Sequence, residues 1–78
     1  MELKDFIENF AEQFEDTEKS DFTPSTVYSD LDEWTSLMGL SIMAMVSDVY
    51  DIDISADDLR RSKTIEDLFN VVKAMANE

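Results

Sequence analysis

The sequence predicts an all-α fold: a small four-helix bundle of three longer helices and one short one, with a long loop between the first two. Three observations carry that expectation. Apolar residues recur at helical spacing in separate segments. Only one glycine and one proline occur among 78 residues, although 44% are hydrophobic, a composition that suits helices better than strands and turns. The one stretch that alternates apolar and acidic side chains, Tyr50 to Ile54, has no second strand to pair with.

The first helix is expected over residues 2 to 15, where Leu3, Phe6, Ile7, Phe10 and Phe14 keep the spacing of one helical face. From Asp16 to Thr35 the period disappears, and turn formers around Pro24 mark a loop. A structureless loop of about 20 residues is unusual in a compact domain. Phe22, Val27, Tyr28, Leu31 and Trp34 are therefore expected to pin it to the core, with room for a short helical turn. The second helix is expected to begin after Ser36 and run to about Tyr50, apolar on far more than one face, which makes it central to the fold or exposed for a partner. Tyr50 to Ile54 reads as an extended connection with Ile52 and Ile54 inward. Ser55 then caps a short helix, with Asp57 and Asp58 in its first turn. Thr64 and Asp67 form a near match to a capping box for the last helix, whose apolar face is Ile65, Leu68, Phe69, Val72 and Met75.

At this length one domain, residues 1–78, is expected, burying only roughly 60% of the unfolded chain's surface, which disfavours a deep enzymatic cleft. Nineteen acidic against six basic residues give a formal charge of −13, which opposes binding to nucleic acids or anionic membranes. A macromolecular partner should present a basic patch. With no cysteine and no histidine, the chain lacks disulfides, thiolate metal sites and the commonest general base. It is not expected to be an enzyme in its own right, because no nucleophile and base pair offers itself. No apolar run suits a signal peptide or a membrane span, so a cytoplasmic protein is expected.

Two segments are candidate sites. Asp51, Asp53, Ser55 and Asp57 place oxygens at alternate positions, as a calcium loop does, but Ala56 stands where that loop needs glycine and Ser62 where it needs a bidentate glutamate. Solvated acids around an inward isoleucine pair are the better reading, and no metal is expected. Ser36, at the boundary between an acidic loop and an apolar run, reads on its own as an ordinary helix N-cap.

The surrounding order of motifs changes that reading. Ser36–Leu37, the apolar Leu40, Ile42 and Met43, the "YDIDI" exit at residues 50–54 and "KTIEDL" from Lys63 together resemble the acyl carrier protein family across almost the whole chain. The resemblance implies that Ser36 is the attachment point for 4′-phosphopantetheine, transferred covalently from coenzyme A by a separate phosphopantetheinyl transferase. The arm's thiol then carries acyl groups as thioesters to loading, condensing or transfer enzymes. The phosphodiester would sit at the positive end of the second helix, whose dipole partly offsets the local acidity of Asp30, Asp32 and Glu33. An interior with five methionines could open to hold an acyl chain, because Met repacks readily; core filling is the alternative for Met43 and Met75.

Departures from the family pattern set this sequence apart. Thr35 stands where aspartate usually precedes the serine, and Met38, Ser41 and Ser47 replace frequent acids on the second helix, where Asp48 keeps its charge. Partner binding is therefore assigned to Trp34, Thr35, Leu37, Met38, Ser41, Met45 and Asp48, a surface with a larger apolar share that suits basic or mixed basic and apolar docking patches. Trp34 reads as a loop anchor or a partner hot spot. These features point to a monomeric, free-standing carrier in a specialised lipid or secondary-metabolite pathway. The alternative is an unmodified acidic interaction module that keeps the carrier fold, with Thr35 in its favour.

Overall fold

A computed structural model describes residues 1–77. Its four α-helices are α1 (Leu3–Ala11), α2 (Ser36–Tyr50), α3 (Ala56–Arg61) and α4 (Ile65–Met75), and no strand occurs among the described residues. The all-α expectation holds. Helix α1 packs on α2 and α4, and α3 packs on α2 and α4.

Apolar spacing explains the core. Phe6 and Phe10 from α1, Ile42 and Val46 from α2, and Ile65, Leu68 and Val72 from α4 are almost wholly buried. Rings fill the space between them: Phe6 meets Phe69 edge-on at 5.6 Å, and Phe10 lies 5.5 Å from Tyr28. Ile54 is buried and Ile52 half-buried, as the alternating pattern predicts. Met75, placed by spacing on the α4 core face, is instead 47% exposed.

Helix α1 ends three residues before the apolar period does. Past Ala11 the chain tightens, with Phe14 N–H donating to the Ala11 carbonyl at 3.0 Å and Gln13 N–H to that of Phe10 at 3.2 Å. This keeps Phe14 in the core while the helix stops. The stop is acidic on both sides: Glu12, Glu15 and Asp16 sit where a continuing helix would present its negative end. The Glu33 carboxylate supplies the alternative, accepting Glu15 N–H at 3.2 Å and Asp16 N–H at 2.9 Å, together with the Thr17 hydroxyl.

The long loop contains two short 3-10 turns, Lys19–Asp21 and Tyr28–Asp30, and buries Phe22 and Tyr28. The Tyr28 hydroxyl reaches the carbonyls of Leu59 at 2.6 Å and Ser62 at 2.9 Å, tying the loop to α3. Its backbone also completes α4. Thr26 and Pro24 carbonyls accept the N–H groups of Ile65 at 3.1 Å and Glu66 at 3.0 Å, and Thr64 Oγ1 accepts that of Asp67 at 3.1 Å. The first three amides of α4, which no helix can satisfy internally, are all bonded. The capping box expected of Thr64 with Asp67 forms, and the Ser55 cap expected for α3 proves to be a second capping box, closed by Asp58.

Candidate functional site

The N-terminus of α2 follows from two adjacent hydroxyl residues, only one of which caps. Thr35 has extended backbone (φ −143°, ψ 173°), and its Oγ1 accepts the N–H of Met38 at 3.1 Å. Its carbonyl accepts Gly39 N–H at 3.0 Å. Ser36 is therefore the first helical residue, and the reading of Ser36 as the cap is corrected. Its side chain is exposed, and its hydroxyl has no hydrogen-bond partner among the described residues. The N–H groups of Ser36 and Leu37 are likewise without partners there, at the positive end of the helix.

Ser36 opens into a groove of about 420 Å³ between α2 and α3, within the range of about 300 to 1,000 Å³ typical of small-molecule sites. Trp34, Leu40, Met43 and Leu59 supply apolar surface to it, and Arg60 supplies a cation. Gly39 lies on the Leu59 side; a methyl group there would stand 3.6 Å from Leu59 Cδ1 and 3.8 Å from the Trp34 ring. Trp34 is half-buried, its ring parallel to that of Phe10 at 6.5 Å and tilted against Tyr28 at 4.8 Å. One tryptophan thus anchors the loop and forms part of the groove.

The residues assigned to partner binding divide. Leu37 is 75% exposed, and Leu40, read from sequence only as part of the apolar run, is 58% exposed. Thr35, Ser41 and Asp48 are exposed and Met38 half-buried. Met45 is in the core at 6% exposure, which corrects its assignment to the partner-binding surface. Met43 is half-buried and lines the groove.

Charge around Ser36 is also redistributed. Asp30 and Asp32 are exposed, but Glu33 is engaged by Thr17 and the amides of Glu15 and Asp16, which hold its carboxyl below the usual value of 4.5. Asp67, accepting the N–H groups of Thr64 and Lys63, is likewise held below 3.8. Burial pushes the Tyr28 hydroxyl up to about 12, so it remains a neutral donor.

Gly39, Leu59 and Arg60 were not among the residues that sequence reasoning placed at the site. Two signals bear on them: the lone glycine lies inside a helical run, and three of the six basic residues fall between Arg60 and Lys63. The calcium-like segment is spent on helix ends, with Asp51 as the left-handed C-cap of α2 (φ 58°) and Ser55 bonded to Asp58. Among the described residues no three potential ligands converge as a metal site, and no helix is long and apolar enough to cross a membrane. In comparisons with protein-family models, curated proteins and solved structures, no match to this chain was found.

Proposed function

We propose that the chain is a carrier of the acyl carrier protein type, its helices arranged as that family's bundle, with 4′-phosphopantetheine attached through Ser36. The observation that carries the reading is the exposed Ser36 hydroxyl at the first position of α2, beside two unbonded amides and at an apolar groove. The residues present fit the group. The amides and helix dipole suit a phosphodiester, and the groove suits an apolar chain.

In this reading the Ser36 oxygen forms a bond to the coenzyme A phosphorus that carries pantetheine. The bond from that phosphorus to the adenosine bisphosphate breaks, and the serine proton passes to a base on the transferase. When bound, the arm supplies a thiol that holds acyl groups as thioesters. The chain itself positions the attachment point, shelters apolar cargo between α2 and α3, and presents Leu37 and Leu40 to partner enzymes. Its charge of −13 favours partners whose docking patches set basic side chains around an apolar centre. Thr35 retains the capping role that aspartate would also fill, so its presence is compatible with modification.

The test is intact-protein mass spectrometry after incubation with coenzyme A, magnesium and a broad-specificity phosphopantetheinyl transferase, and separately with a transferase from the source organism. A gain of one phosphopantetheine that Ser36→Ala abolishes is expected. No gain with either transferase would instead support the unmodified interaction module.

A further inference from the structure

In a chain of net charge −13, an added phosphodiester meets a repulsive field unless a local cation offsets it. Arg60 is the cation lining the groove that contains Ser36. It also lines the adjoining depression, shared with Trp34, Leu59 and Lys63. Its guanidinium is bonded to the Asp57 carboxylate one turn earlier on α3. That pair lies in solvent, with the two side chains 72% and 63% exposed, so replacing the carboxylate by another anion demands little. A guanidinium fork also matches phosphate oxygens in a way an ammonium does not.

We infer that Arg60 is a positioning residue for the phosphodiester on Ser36, exchanging Asp57 for the phosphate once the arm is attached and so directing the arm along the groove between α2 and α3. The inference rests on the carrier reading of Ser36. Three features converge on it: the two residues share a groove, the amides left unbonded among the described residues lie on the α2 side, and the one partner of Arg60 among those residues is an exposed carboxylate. Asp57 then acts as a competitor, holding Arg60 in place when no phosphate is attached.

The test uses the full chain, loaded with coenzyme A and a transferase, as wild type, Arg60→Gln, Arg60→Lys and Asp57→Asn. Loading is followed by mass, and the product by phosphorus NMR and by the side-chain Nε–H resonance of Arg60. Loaded wild type is expected to show a phosphorus signal displaced from that of free pantetheine phosphodiester and a moved Arg60 resonance. Ser36→Ala, treated identically, should show neither. Arg60→Gln should return the phosphorus signal to the free position while the unmodified protein keeps its unfolding midpoint, a separation that a merely structural role does not produce. Arg60→Lys should restore part of the displacement, and Asp57→Asn should enlarge it. Loaded Arg60→Gln with the wild-type phosphorus signal, or an unmoved Arg60 resonance in loaded wild type, would overturn the inference and leave the carrier reading intact. Failure of wild type to gain mass with either transferase would remove both.

Discussion

Thr35 Oγ1 accepts the backbone N–H of Met38 at 3.1 Å, and this bond separates two roles that adjacent hydroxyls could have shared. Capping belongs to Thr35, leaving the Ser36 hydroxyl without a bond among the described residues. Thr35→Ala should lower stability by about 1 kcal/mol, whereas Ser36→Ala, at an exposed non-capping position, should stay within about 0.5 kcal/mol of wild type while losing the capacity to be loaded. Thr35→Asp should hold stability near wild type and speed loading by a general transferase. Urea unfolding and time-resolved mass measurements check the set.

Tyr28 should make the fold sensitive to alkali. Its hydroxyl ionises near 12 in the folded protein against an ordinary 10.0. Between those values the unfolded chain gives up its proton first, so stability falls as pH rises through that window, by roughly 2 to 3 kcal/mol. Tyr28→Phe should cost about 1 to 3 kcal/mol at neutral pH by leaving the Leu59 and Ser62 carbonyls without that donor. Its deficit relative to wild type should shrink as pH rises from 10 to 12. Unfolding midpoints measured across that range provide the comparison.

Glu33 should act in the opposite direction, in acid. Its carboxyl is held below 4.5 by the donors it accepts, so its contribution is fully present above that value and is lost as pH falls through its lowered folded value. Glu33→Gln should weaken the fold at neutral pH, and the gap should close in acid. Amide exchange at Glu15 and Asp16 should accelerate in the variant at neutral pH, locating the change at the end of α1.

Gly39 sets helix stability against groove shape. A methyl group there meets Leu59 and Trp34 at ordinary contact distances, so Gly39→Ala should raise stability by up to about 1 kcal/mol through helix propensity. The same methyl narrows the groove. In the loaded, acylated protein, thioester cleavage by added hydroxylamine, which takes the acyl group as a hydroxamic acid and frees the thiol, should be faster for Gly39→Ala if the chain lies in that groove.

The surplus of carboxylates should show as salt dependence. With 19 acidic and six basic residues, folding concentrates like charge, and raising ionic strength screens it. The melting temperature should rise between low and moderate salt.

Where one residue and its near neighbours decide the structure, the sequence was readable. Ser55 caps α3 and Thr64 with Asp67 starts α4 as residue type and spacing predict, and Phe22 and Tyr28 pin the loop. The misplacements arise where a distant group decides. Spacing carries α1 through Phe14, but Glu33, 17 residues beyond Asp16, takes the amides at the turn. Thr35 and Ser36 are both competent caps by residue type, and only the backbone tells them apart. Met38 and Met45 share a face on a helical wheel, but a wheel ignores position along the axis. Met45 lies in the half of α2 that buries Ile42 and Val46, and Met38 lies beside its free end. The groove joins Gly39 and Ser36 to Leu59 and Arg60 through the contact of α2 with α3, which local patterning does not specify.

The bonds from Thr26 and Pro24 to the first amides of α4 bear on how this chain resists proteases. Surface loops ordinarily yield to cleavage through local fraying. Here the segment that holds Lys19 also buries Phe22, and its carbonyls complete a helix some forty residues further on. Releasing it strips α4 of its starting bonds, so the opening that lets the backbone around Lys19 enter a protease is coupled to the loss of the core. Tryptic cleavage after Lys19 then follows unfolding of the whole domain, and the longest stretch outside the α-helices becomes a sensor of global stability.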